Sequence, residues 1–223
     1  MKTIRLVASW LITVLLPLAL LFLGVRLLLT NSFIQVEYRL PGFPVDTYGF
    51  TRADRLHYAP LAVDYLVNSA GIDFLGDQTF PDGSPLYNAR ELQHMEDVKL
   101  VVQPVLWIGY GVWVVLISLG LWARFGGWWL EYSRGLRRGG WLTAGLVGAI
   151  GIFAGLSFWQ FFEIFHSFFF EADSWMFFYS DTLIRLFPMR FWQDAVIIIF
   201  VLAGGLGLVI GLGLRFKRKP KAV

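Results

Sequence analysis

The chain has 223 residues, 57% of them hydrophobic, a mean hydropathy of +0.60 and no cysteine. That composition excludes an ordinary water-soluble domain of average polarity, and the missing cysteine excludes disulfides, thiolate nucleophiles and Cys-ligated metals. The formal net charge of +3 excludes little by itself; its distribution along the chain is what informs.

Four runs are long and apolar enough to cross a hydrocarbon layer about 30 Å thick at about 1.5 Å per residue: residues 6–29, 100–122, 141–162 and 195–214. The first follows Lys2 and Arg5. It is too long for a signal-peptide core, and its exit, Leu29-Thr30-Asn31-Ser32-Phe33, offers no small-x-small cleavage site, so it reads as an uncleaved anchor. The N-terminus, the 123–140 loop and the C-terminus hold 11 of the 19 Lys and Arg residues, with Glu131 the one acid among them. The bias of Lys and Arg toward the cytoplasm then puts both termini there. Segments 30–99 and 163–194 face outward and carry His57, His94 and His166. The expected fold is an all-α integral membrane protein: one membrane domain, 1–223, with four transmembrane helices and short amphipathic helices in the long outer segment.

Within that outer segment, Pro41-Gly42-Phe43-Pro44 marks a turn. Residues 51–67 alternate charged and apolar residues at near-helical spacing, with Thr51 or Asp54 as cap and Pro60 as a break or kink. This predicts one or two amphipathic helices on the membrane surface. Residues 77–85 form a turn-rich loop. The helix carrying His94 is expected to start near Asn88 and run straight into the second span. Between Phe158 and Tyr179, 12 of 22 residues are aromatic, as in an interfacial belt or a wall for acyl chains. Gly151-x-x-x-Gly155 and Gly207-x-x-x-Gly211 read as close helix–helix packing.

Six of the ten residues from Arg90 to Lys99 can ionise, at the mouth of the second span. Such a cluster is either a solvated cap or a site. Two Glu-x-x-His pairs stand out, Glu91 with His94 and Glu163 with His166; a spacing of three puts each Glu and His on one helical face. They could be interfacial polar residues. They could contribute to a dinuclear metal site, but that needs a Glu from each of two further helices. The first and fourth spans contain no acid, and Arg26 in the first opposes a cation. A single zinc on His94, His166 and a carboxylate is a third reading. The fourth is acid–base chemistry, since imidazole titrates near neutrality and a carboxylate can fix its tautomer. Nothing marks an enzyme nucleophile: there is no Cys and no Gly-x-Ser-x-Gly elbow, and Ser157 and Ser167 are weak signals. An acyl-transfer enzyme would then use a nucleophile of the substrate. Arg26, Arg185 and Arg190 either snorkel or contact an anion or oxyanion. His57, with Asp54 three residues before it, reads as structural.

The stretch Arg90-Glu91-Leu92-Gln93-His94-Met95-Glu96-Asp97-Val98-Lys99 resembles a signature of bacterial four-span membrane proteins long described as a domain of unknown function. A second signature follows in Phe165-His166-Ser167-Phe168-Phe169-Phe170, Trp175, Asp181-Thr182-Leu183-Ile184-Arg185-Leu186-Phe187-Pro188 and Phe191-Trp192. The family includes the lipoprotein intramolecular transacylases. The resemblance implies an enzyme of the bacterial plasma membrane with its site on the extracytoplasmic side. It implies transfer of the sn-2 acyl chain of a diacylglyceryl lipoprotein to the α-amine of its N-terminal Cys, giving a lyso-form lipoprotein. The family's essential histidines fall by motif position on His94 and His166. Glu91, Asp97, Glu163, Arg26, Asp181 and Arg185 are supporting candidates. The partners implied are the lipoprotein N-terminus and membrane lipid, with no nucleic acid, metal or cofactor. The other function classes are a metal-dependent membrane hydrolase or oxidase and a non-enzymatic sensor or partner protein.

Overall fold

A computed structural model of the chain describes residues 2–171 and 173–213. Nine helices are present among them: α1 (Lys2–Leu28), α2 (Asn31–Glu37), α3 (Arg52–Val67), α4 (Asp73–Gly76), α5 (Ala89–Phe125), α6 (Trp129–Leu156), α7 (Phe158–Phe169), α8 (Thr182–Leu186) and α9 (Met189–Gly213). Among the described residues β pairing is limited to a lone bridge between Thr79 and Pro85. Helices α1, α5, α6 and α9 are long and apolar enough to cross a membrane, which makes this a multi-pass membrane protein. Leu214, the expected end of the fourth span, and the basic residues Arg215, Lys217, Arg218, Lys219 and Lys221 lie outside the described residues.

Local chemistry explains the helix bounds. Thr51 caps α3 in a reciprocal box: its hydroxyl accepts from Asp54 N and the Asp54 carboxylate accepts from Thr51 N. Pro60 does not break α3. The lost hydrogen bond is offset because Tyr58, Ala59, Ala62, Val63 and Tyr65 are buried in the protein's own core. The apolar face of α3 is thus satisfied by protein. Helix α5 begins where expected and continues unbroken through the second hydrophobic run, 37 residues in all.

The third run differs from expectation. Helix α6 stops at Leu156, short of Phe162, and α7 is a separate helix. Ser157 adopts an extended backbone and its hydroxyl accepts from Gln160 N, so it starts a new helix rather than continuing the old one. Glu163 and His166 therefore ride on α7 and not on the end of a span.

The described residues group into two compact units. The first comprises 2–24, 108–151 and 199–213. Its core holds Ile12, Leu16, Ala19, Leu20, Leu116, Trp128, Val147 and Ala203. Here α6 and α9 pack backbone to backbone: a Cβ on Gly140 would lie 2.5 Å from the Gly207 carbonyl oxygen. Gly207 and Gly211 thus serve the close approach expected of them. Gly155 does not, since a Cβ there meets nothing within 4 Å, and one on Gly151 meets only the Phe200 ring at 3.5 Å.

The second unit comprises 25–107 and the described part of 152–198. Its core gathers Phe33, Ile34, Tyr38, Tyr58, Tyr65, Leu75, Leu86, Met95, Leu183, Leu186 and Phe191. Polar side chains tie its loops to its helices. Tyr38 Oη donates to Leu186 O at 2.7 Å, Thr182 Oγ1 to Leu86 O at 2.6 Å, and Lys99 Nζ to Ala70 O at 2.6 Å.

Candidate active site

All the residues of the site lie in the second unit. His94 sits in the second turn of α5 and His166 near the end of α7. Both are buried, at 9% and 8% exposure. One aromatic shell encloses them. Phe170 packs on both rings, 5.0 Å from His94 and 5.8 Å from His166 between centroids. Phe177 adds an edge to His94 at 5.3 Å, and Trp175 and Phe162 lie 4.8 and 3.9 Å from His166. The aromatic run is therefore more than an interfacial belt; part of it desolvates two imidazoles.

The hydrogen bonds assign chemistry to each ring. His166 Nδ1 lies 2.8 Å from the Phe162 carbonyl oxygen. A carbonyl only accepts, so Nδ1 carries the proton and Nε2 presents a lone pair. Burial pulls the His166 pKa down, and the Phe162 bond partly opposes this. His94 Nδ1 is buried with no hydrogen-bond partner. Burial, with the neighbouring His166 adding to it, lowers the His94 pKa from 6.5 to about 4, against the pull of Asp97. Charge on His166 thus bears on His94, and burial favours the neutral form of both rings.

The expected carboxylate partners are mostly elsewhere. Glu91 is buried, and its oxygens accept from Asn88 N at 2.8 Å and Leu183 N at 2.6 Å. It caps the start of α5 and joins it to the start of α8; it does not hydrogen-bond His94. A helical spacing of three brings two side chains within reach, but unpaired backbone N–H groups at two helix starts outcompete the imidazole. Burial raises the Glu91 pKa and these bonds restrain the rise. Glu163 is exposed on α7 and has no part in the setting of His166. Asp97, one turn beyond His94, is the carboxylate that acts on it.

The remaining candidates hold the scaffold. Asp181 accepts from Phe178 N at 2.9 Å. Arg185 bridges to Asp46 at 3.2 Å, donates to Tyr48 O at 3.1 Å and covers the Phe50 ring at 3.7 Å, pinning the 46–50 loop. Arg26 Nη1 donates to Leu29 O at 2.9 Å, at the end of α1, and Arg190 pairs with Asp194. Among the described residues no three His, Cys, Asp or Glu side chains gather to hold a metal ion. Glu37, not among the sequence candidates, is a fully buried carboxyl group close to Asp194. Its pKa is pushed up to about 7 by burial and by Asp194. An acid inside the apolar stretch Phe33-Ile34-Gln35-Val36-Glu37-Tyr38 was the available signal.

Three comparisons bear on this arrangement. The profile of the family "Lipoprotein intramolecular transacylase Lit" matches residues 10–192. An uncharacterized protein of Aquifex aeolicus (strain VF5) is 28% identical over 209 residues, 92% of each chain. The membrane-integral lipoprotein intramolecular transacylase Lit of Bacillus cereus shares the fold, with a TM-score of 0.78 at 16% identity over 94% of each chain. A variant of that protein with a histidine replaced by alanine gives 0.66, again at 16% identity, over 96% of this chain and 93% of the other. With the profile match spanning most of its length, the chain belongs to the lipoprotein intramolecular transacylase Lit family and is an acyltransferase of the membrane.

Proposed function

We propose that the chain moves the sn-2 acyl chain of a diacylglyceryl lipoprotein to the α-amine of the same N-terminal Cys, with His94 and His166 as the acid–base pair. The observation that carries this reading is the two buried imidazoles held in one aromatic shell, with His166 Nε2 free to accept a proton. The substrate supplies the nucleophile. Its amine has a reference pKa of about 7.7–8.0, so near neutrality it first sheds its ammonium proton to solvent and attacks as the neutral amine. The amine nitrogen adds to the ester carbonyl carbon while His166 Nε2 takes its proton. Neutral His94 donates a hydrogen bond to the oxyanion of the tetrahedral adduct. The bond to the glycerol oxygen then breaks, and the proton held on His166 goes to that oxygen. Asp97 is the carboxylate that steadies His94.

Two further features support the reading. Amine and ester belong to one lipid, so their alignment replaces a bimolecular encounter, worth roughly 7–11 kcal/mol at best. Phe161, Ile164, Phe165, Phe168 and Phe169 line an open apolar depression of about 220 Å³ on the exposed face of α7, a surface suited to an acyl chain. By the charge bias of the loops, the site faces the extracytoplasmic side. The metal-dependent alternative has no donor set among the described residues.

The test is expression in a bacterium lacking its own lipoprotein N-acylation, followed by mass spectrometry of a lipoprotein's N-terminal lipopeptide. Wild type is expected to yield the N-acyl lyso-form. His166→Ala is expected to reduce its formation by about 10²–10⁴-fold, the contribution of one acid–base group. The free-amine diacyl form with wild type would refute the assignment.

A further inference from the structure

Arg90 stands in the first turn of α5, where a cation opposes the helix dipole. An arginine at that place needs a compensating role, and the structure displays one. Its Nη2 donates to two backbone carbonyls, Asp173 O at 2.8 Å and Met176 O at 2.5 Å, and its guanidinium lies 5.8 Å from the centre of the Phe177 ring. Those carbonyls bracket Trp175, and Phe177 follows directly. Trp175 covers His166 and Phe177 covers His94. Asp173 turns the chain there with a φ of 70°, a left-handed conformation that aspartate adopts more readily than most non-glycine residues.

We propose that Arg90 is a positioning residue for the histidine pair: by clamping the 173–176 turn it keeps Trp175 and Phe177 seated on the two imidazoles, and so keeps the pair dry and aligned. The inference rests on the acyl-transfer reading for its consequence in catalysis, but its physical core is independent of that reading. Neighbouring Glu91 strengthens the case. It grips Leu183 N beyond the same segment, so consecutive residues of α5 hold the aromatic segment on both sides. The groups acting electrostatically on His94 are His166 from α7 and Asp97 from α5 itself. Arg90 reaches His94 through Phe177: without the clamp the ring leaves, water enters, and His94 regains its ordinary titration.

The experiment uses the full chain in lipid nanodiscs, with isotopically labelled histidine read by NMR and the three histidine signals assigned by His→Gln variants. In Arg90→Ala the His94 titration is expected to rise toward the ordinary histidine range. On a synthetic diacylglyceryl-Cys lipopeptide, kcat is expected to fall roughly tenfold to hundredfold, the scale of a small misplacement of a catalytic group. KM should change far less. Arg90→Lys keeps a donor for one carbonyl and should recover part of both effects. A His94 titration in Arg90→Ala identical to wild type overturns the proposal, whatever happens to kcat. Should the alanine variant not fold, the lysine variant is read the same way, an unchanged His94 titration being the overturning result. Absence of acyl transfer by wild type would instead defeat the acyl-transfer reading, and the titration would still decide the role of Arg90.

Discussion

The neutral state of His94 is held at a cost that acid should reveal. The ring is 9% exposed, its Nδ1 has no partner, and its pKa falls from 6.5 to about 4. The folded protein therefore binds fewer protons than the unfolded chain between those two values. Stability then rises with pH across that window and is lost as pH falls from 6.5 toward 4. At about 1.4 kcal/mol per pH unit of displacement, the full loss from His94 is about 3 kcal/mol, complete once pH is below 4. The perturbation is His94→Gln, which keeps a polar side chain of similar reach and removes the titration. Denaturation of wild type and variant in mixed micelles at pH 7.5, 6, 5 and 4 gives the difference in stability at each pH. His166, Glu91 and Glu37 titrate in both proteins, so their contributions largely cancel in that difference. The variant is expected to gain on wild type by about 3 kcal/mol between pH 7 and pH 4. A constant difference across the series would refute the reasoning, because it would mean that His94 is as easily charged in the folded protein as in the unfolded chain.

Three more outcomes follow from the geometry. Glu91→Ala leaves the N–H groups of Asn88 and Leu183 without their carboxylate; at about 1.5–3 kcal/mol for each charged hydrogen bond, denaturation should show a loss on the order of 3 kcal/mol or more. Asp97→Asn removes the charge that supports protonation of His94, so the His94 titration followed by NMR should move further down, and catalysis at pH 7 should change little in its pH profile because the ring is already neutral. Gly140→Ala drives a Cβ to 2.5 Å from Gly207 O; α6 and α9 must separate, and the melting temperature in detergent should fall, with a cost of about 1–3 kcal/mol typical of overpacking.

Much of this protein is legible in one dimension because the membrane imposes a one-dimensional code. A backbone crossing hydrocarbon must satisfy its own hydrogen bonds, so long apolar runs become helices, and the four runs reappear as α1, α5, α6 and α9. The start of α5 near Asn88 and the Thr51 cap are equally local, each set by the side chain beside the first unpaired N–H groups. Hydropathy stays high through Phe161 and Phe162 and so hides the end of the third span, because the break depends on one hydroxyl, that of Ser157, accepting from Gln160 N. His94 and His166 could be picked out from their signatures.

Their partners could not. Glu91 and His94 share a helical face by spacing, yet Glu91 turns to Leu183 N, 92 residues away in the chain. Glu163 remains exposed beside a buried His166. Which carboxylate meets which donor is a competition among groups brought together only by folding, and an amide N–H left unpaired in a buried helix start is costlier than an imidazole without a carboxylate. The sequence alone therefore determined the class of the molecule and the presence of four spanning helices, and it pointed to His94 and His166 as candidates. Only the tertiary structure decided that one aromatic shell encloses both rings, that Arg90 bonds the turn carrying part of that shell, and that burial disfavours charge on the pair, because burial and its electrostatic consequences are properties of the packed neighbourhood and not of any stretch of chain.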